Sequence, residues 1–422
     1  MWRDDGTDEA PTRRDYVKYG GAVVVGGLLA GCTGGGSGGT PEPTEPETDA
    51  ETPTRSATDT TTENRSYTAS VPPVGELTLE EPPSSWVGGL GFTADVLTAL
   101  GHGDGVVGMI DPEFWYQGFY DVLDGVDVPA SDDLVRVTTE GLDTDLETLY
   151  ELDPDLMAVD PNLFLTTYGL EEHEVEEVQR NIAPWFGNES RRGRDDGWTT
   201  WPGDDPYSYI PIREYVRSYG ALFGEQERRD ALLELYDSFV SDVRSRVPQR
   251  SDRRSLGLIN GRHNPGNEAG WFIYDPSSEI EEAWGKKQYR DLDVVDAFDG
   301  VYDGKSGVFV DYEGLLEYDP DVIIFHFGIS FLDFRGTNFV RRQRELLRDH
   351  PVGSRLTAVR NDDLYVGGTP YQGPVINMFQ TEMAAKQLYP DEFGPYPGFG
   401  ELSRSEQLFD RQRVSAIVNG DL

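Results

Sequence analysis

Arg191, Arg192 and Arg194 place three guanidinium groups in four positions of a chain whose 77 Asp and Glu outweigh 36 Lys and Arg. A guanidinium is a planar fork of donors that matches a carboxylate or another anionic group. Against so acidic a background the cluster has two readings, surface charge balance or contact with an anionic ligand. A further arginine, Arg262, lies just after the apolar run Ser255 to Ile259, in what reads as a strand-end loop. Phe114, Trp115, Tyr116 and Phe119 crowd the loop after the strand-like run Gly105 to Ile110. Aromatic faces suit cations and the flat or apolar edges of small molecules. Loops at the carboxyl ends of strands are where open α/β sheets hold ligands. Local core packing is the competing reading for the same four rings. Tyr371 stands in a similar place, capping the strand-like segment Asp363 to Gly367.

The five histidines offer a different chemistry, a zinc or manganese site, which needs several histidines and a carboxylate. His102 lies in a Gly-rich turn, His173 in an acidic helix and His350 before a proline. Only His263 and His326 fall in loops that could face a cleft, and no loop is rich in histidine. Cys32 is the only cysteine, so one chain can build neither a disulfide nor a cysteine-based cluster. No P-loop occurs, and no G-x-S-x-G or G-x-G-x-x-G string stands between a strand-like run and a helix-like one, as a nucleophile elbow or dinucleotide site requires. The expectation is a protein that is not an enzyme, with no catalytic residues, metal site or cofactor of its own.

The elements that must hold these groups announce themselves by a repeat. Asp145 to Leu156 and Asp311 to Val322 both read D-x-E-x-L-x-E-x-D-P-D-[LV], 166 residues apart (311 − 145). Leu146, Leu149 and Leu152, and in the second copy Tyr312, Leu315 and Leu316, share one face of a short helix. The Asp-Pro step ends that helix, because proline disfavours helical geometry in the residue before it. The apolar run beyond it suits a buried parallel strand. A unit used twice predicts two similar α/β lobes. Between them, Leu232, Tyr236, Phe239, Val243 and Val247 recur at helical spacing, so one long helix over 225–247 is expected to join the lobes until Pro248 stops it.

The amino terminus reads as an address. Thr12 to Lys18 fits a twin-arginine export signal, Ala22 to Ala30 is too short to span a bilayer, and Leu29-Ala30-Gly31-Cys32 resembles a lipobox. The expected organisation is a signal peptide over 1–31, then a lipidated Cys32 with a disordered linker over 32–74. A first lobe over 75–224, the helix over 225–247 and a second lobe over 248–422 follow. The linker is Gly, Ser, Thr, Pro and Glu with almost no large apolar residue. Asn64 and Asn188 each open an N-glycosylation sequon. The net charge of −41 resembles that of proteins from extreme halophiles and argues against a nucleic-acid partner.

From about Gly75 to Leu422 the chain resembles the substrate-binding proteins of ABC importers for iron–siderophores and cobalamin. The resemblance rests on Ala99 to Gly108, the two P-D units, Leu292 to Phe298, Asn361 to Val366 and Ala384 to Pro390, in that order, with the lipobox upstream. It implies two Rossmann-like α/β lobes joined by a rigid helix, with a small-molecule ligand in the cleft. It also implies a glutamate on each lobe for an arginine of a dimeric ABC permease. Seven residues before the proline of each P-D unit, those positions are Glu147 and Glu313. A ferric siderophore is the leading ligand, with cobalamin or haem as near alternatives; a zinc or manganese receptor and a secreted α/β enzyme stand further off. The candidate ligand contacts are Trp115, Tyr116, Arg191, Arg192, Arg262, His326 and Tyr371. The lipid anchor would hold the protein on the outer face of the membrane.

Overall fold

The structure is a computed structural model that describes residues 66–193, 198–203, 205–260, 270–277, 282–329 and 337–422, the last segment without the side chains of 337–340. Cys32, the export signal, Asn64, Arg194, Arg262 and His263 lie outside the described residues.

The described chain opens with a hairpin, β1 (Tyr67–Val71) antiparallel to β2 (Gly75–Leu79). The first of these strands falls in the stretch expected to be linker. Ala69 and Val71 point inward while Thr68 and Ser70 face out, an alternation that a Thr- and Ser-rich window hides. The first lobe is built on β3 (Trp86–Gly88), β4 (Val106–Met109), β5 (Val135–Arg136) and β6 (Leu156–Ala158). They form one parallel sheet in the order β5-β4-β3-β6.

The second lobe holds β7 (Ser255–Asn260), β8 (Trp271–Tyr274), β9 (Val295–Asp296), β10 (Gly307–Val310), β11 (Val322–His326) and β12 (Leu364–Val366). Its centre, β7-β11-β12, is parallel, as β9 is to β7. β8 and β10 add an antiparallel edge, so this sheet is mixed rather than wholly parallel. The protein is thus an α/β fold of two lobes, each centred on parallel strands.

The repeat has one geometry in both lobes. Asp145 and Asp311 cap the helices Leu146–Leu152 and Tyr312–Tyr318, accepting from Thr148 N at 3.3 Å and Gly314 N at 2.8 Å. Asp153 and Asp319 then leave the helix in the left-handed region, with φ of 43° and 41°, rather than extended as a residue before proline usually is. Aspartate tolerates that conformation, and each N–H still reaches back to a helix carbonyl, Leu149 O or Leu315 O. The next acid anchors the unit to the strand beside it. Asp155 accepts from Ser84 N, Ser84 Oγ and Ser85 N at 2.7–2.9 Å, and Asp321 from Ser255 N and Oγ at 2.8 Å.

Two helices lie outside the repeat. Gln226–Arg246 buries Leu232, Tyr236, Phe239 and Val243 along the expected stripe; it follows the first lobe in the chain and precedes β7. Its 21 residues span roughly 30 Å at about 1.5 Å per residue. Every residue of Pro374–Leu388 is buried, including Asn377, Gln380 and Glu382. One hydrophobic core takes in residues of both lobes and of both helices.

Candidate ligand cleft

The carboxyl ends of the parallel strands in the two lobes meet around Arg191 and Tyr371. After β4, Asp111 accepts from Glu113 N at 3.1 Å and pairs with Arg136 at 2.9 Å. Burial raises the Asp111 carboxyl above its ordinary range, and the Arg136 charge opposes that rise. The four aromatics of this loop divide. Phe114 packs on the Tyr371 ring at 4.8 Å. Trp115 is fully buried, and its Nε1 donates to Tyr120 Oη at 3.4 Å. Tyr116 is buried against Phe119 at 4.9 Å. The loop crosses the chain so closely at Gly91 that a Cβ there would lie 2.6 Å from Phe114 O, which only glycine avoids.

Beyond β6, Asp160 caps the helix Pro161–Thr166, accepting from Asn162 N at 2.9 Å, and also accepts from Tyr207 Oη. Burial pushes its carboxyl up to about 6. Tyr207 Oη in turn accepts from Glu189 N at 2.6 Å. The segment Asn188–Arg191 is therefore pinned from below, and Ser190 Oγ accepts from Ile210 N at 2.9 Å. Arg191, itself buried, lies over the Tyr371 ring at 5.3 Å, with Glu189 3.7 Å from its Nε.

The second lobe brings Tyr371, Phe327, His326, Tyr274 and Lys286. His326 ends β11 and is buried among Tyr274, Tyr289 and Phe327. Lys286 Nζ donates to Asp275 O at 2.8 Å and lies over the Tyr274 ring at 4.8 Å. The lobes are joined directly here. Gly285 N donates to Arg191 O at 2.9 Å and Trp284 N to Ser190 O at 3.3 Å. The Trp284 indole stacks on Phe92 of the first lobe at 3.8 Å and meets Tyr215 edge-on. Deeper in, Asp95 accepts from Ile376 N at 3.0 Å across the same junction and, within the first lobe, from Tyr120 Oη. Burial pushes the Asp95 carboxyl up to about 7, against those hydrogen bonds.

Of the residues singled out in the sequence, Arg191 and Tyr371 come together, and His326 lies behind Phe327 on the same side. Arg192 is half-buried next to Arg191. Trp115 and Tyr116 turn into the packing of the first lobe. Glu147 and Glu313 are exposed in the first turns of the two repeat helices. His102 pairs with Glu225 at 3.0 Å, His173 is exposed, and His350 stacks on Tyr312 and accepts from Val352 N and Gly353 N. Among the described residues no three His, Cys, Asp or Glu side chains gather as a metal site, and no helix is long and apolar enough to cross a membrane. Sequence reading passed over Trp284, Lys286 and Asp160. A signal did exist for one of them, since Lys286 and Lys287 are two of only five lysines.

The profile of the family described as periplasmic binding proteins matches residues 91–371. Among solved structures, a periplasmic binding protein from Veillonella parvula has 13% identity and a TM-score of 0.52, over 76% of this chain and 98% of that one. Helicobacter pylori CeuE with Ni(II) bound has 14% identity and a TM-score of 0.52, over 82% and 97%. No curated protein sequence matches the chain.

Proposed function

The chain belongs to the periplasmic binding protein family, and from that premise we propose that it captures a ferric siderophore in the cleft around Arg191 and Tyr371 and delivers it to an ABC permease. Its family makes it a solute-binding component of transport outside the cytoplasm, not an enzyme. One observation carries the choice of ligand. A buried guanidinium lies over an aromatic ring that Phe114 and Phe327 also flank. Such a pairing suits a ligand that is anionic at one edge and flat or apolar at another. Arg192 would add positive charge on the same side, and Arg262, which lies outside the described residues, is a further proposed ligand contact.

Glu147 and Glu313 are the proposed docking points for a dimeric permease. Each stands in the first turn of a helix capped, ended and anchored in the same way. A lipidated Cys32 would keep the protein at the outer face of the membrane. Mass spectrometry of ligand released from purified protein, with a thermal-shift series of ferric chelates, cobalamin and haem, tests the cleft. A ferric chelate at 100 times its Kd should add about 2.7 kcal/mol of stability. An iron-free released ligand, with no ferric chelate shifting Tm, would sink the siderophore reading. Cys32→Ser should release the protein or leave its precursor uncut, and unchanged membrane retention would remove the anchor.

A further inference from the structure

We infer that Gln372 is a positioning residue: its carboxamide sets where Arg191 lies over Tyr371, and so how strongly the cleft prefers a charged ligand. This rests on the reading above, in which Arg191 faces the ligand.

Gln372 is fully buried, and both ends of its amide are engaged. Its Nε2 donates to Trp284 O at 2.5 Å and Gln288 Oε1 at 2.6 Å, with Gly285 O at 3.3 Å. Its Oε1 accepts from Asn377 Nδ2 at 3.0 Å and from Gln380 Nε2. The carbonyls that it holds belong to the two residues whose N–H groups hold Ser190 O and Arg191 O. Gln372 therefore grips one edge of a two-residue segment, and the backbone of Arg191 hangs from the other. On its own side Gln372 is bonded to Tyr371. Tyr371 N donates to Thr369 Oγ1 at 3.2 Å, and the Thr369 backbone is clamped by Gln380 at both its N–H and its carbonyl. The cation and the ring are each one short step from a single amide.

The same network reaches the helix between the lobes, because Tyr236 Oη donates to Asn377 Oδ1 at 2.6 Å. Asn377, Gln380 and Gln288 are buried with Gln372. In a buried network, removing one member strands its partners, so the neighbouring backbone moves to find new ones. At position 372 that movement would carry Arg191 off the Tyr371 ring. A leucine there fills similar space but neither donates nor accepts. An asparagine keeps the chemistry but is one methylene short.

The experiment has two arms, run on wild type, Gln372→Leu, Gln372→Asn and Asp155→Ala, the last as a destabilised control far from the cleft. Hydrogen exchange over residues 284–286 needs no ligand. It should quicken by about tenfold or more in Gln372→Leu, and stay near the wild-type rate in the control at matched distance below Tm. The second arm compares the Kd of a trianionic hexadentate ferric tris-catecholate with that of a neutral ferric tris-hydroxamate. The wild-type preference for the anion should fall to within about threefold of unity in Gln372→Leu and to an intermediate value in Gln372→Asn. The Asn variant decides the matter if the Leu variant does not fold. Unchanged exchange at 284–286, or an unchanged preference in a variant that has merely lost stability, overturns the inference. A wild type that binds neither probe, or an Arg191→Ala variant with the wild-type preference, overturns the ligand reading instead, while hydrogen exchange still decides the role of Gln372.

Discussion

Asp145–Ala158 and Asp311–His326 run in step from the capping acid to the start of the strand, then part company. The N-cap, the left-handed Asp, the proline and the second Asp that binds a serine beside the neighbouring strand are common to both. The carboxyl ends of the strands share nothing: β6 runs out to Asp160, a buried acid held by Tyr207, and β11 ends in His326, packed among aromatic rings. Each lobe thus has a repeated end and an individual end. The repeated ends carry Glu147 and Glu313. The individual ends build the cleft. On the function proposed above, the repeated ends would face a symmetric partner and the individual ends would hold one asymmetric ligand.

The division can be broken most sharply at Trp284, whose indole belongs to one lobe and is buried in the other. Trp284→Ala should cost about 3–5 kcal/mol in denaturant unfolding, as for a large core aromatic. A loss below about 1 kcal/mol would mean that the lobes hold together without it. The next effect is a dependence on pH. Asp95 has its folded pKa raised to about 7 from the ordinary carboxylate value, so its contribution is whole below about pH 4 and is lost as pH rises to about 7. The slope should be at most about 1.4 kcal/mol per pH unit across that window. Asp95→Asn should flatten it, and the same slope in the variant would assign it to other groups.

At the repeated ends, Asp155→Ala and Asp321→Ala should each cost about 1.5–3 kcal/mol, the range for hydrogen bonds to a charged group. Asp155 should cost more, because it accepts from three donors and Asp321 from two. Neither should alter ligand affinity, and a change in affinity would erase the distinction between the ends. The smallest stability effect belongs to Glu147→Arg with Glu313→Arg. Both side chains are exposed, and stability should stay within about 0.5 kcal/mol. Ligand affinity should also hold while uptake is lost; normal uptake with normal export would leave these glutamates as plain surface.

The repeat could be read in the sequence because everything that makes it is local: a cap, a stripe of leucines, a proline and an apolar run. The helix Gln226–Arg246 was readable for the same reason. The cleft was not, because its contacts join residues far apart in the chain, such as Phe92 with Trp284 and Arg191 with Tyr371. The aromatic loop shows the limit well. Phe114 and Trp115 are adjacent and chemically alike, yet one packs on Tyr371 and the other sinks into the first lobe. Composition could not separate them, since the short 3-10 turn Pro112–Phe114 that Asp111 caps and the gap left by Gly91 decide which ring goes where. The antiparallel edge of β8 and β10 escaped for a related reason: a buried apolar strand looks the same whichever way its neighbour runs.

The wholly buried helix Pro374–Leu388 has a consequence for how the protein comes into being. It follows the strands of both lobes in the chain, and Asp95 of the first lobe, Tyr236 of the helix Gln226–Arg246 and Gln372 all bond to it. During synthesis the earlier lobe leaves the ribosome and can begin to order first. The piece that seals it to its neighbour is made only after the strands of both lobes. Until then each lobe exposes an unsealed apolar face, the kind of surface that chaperones recognise and proteases reach. The synthesis of Pro374–Leu388 is therefore the step after which two loosely ordered halves can close into one durable molecule.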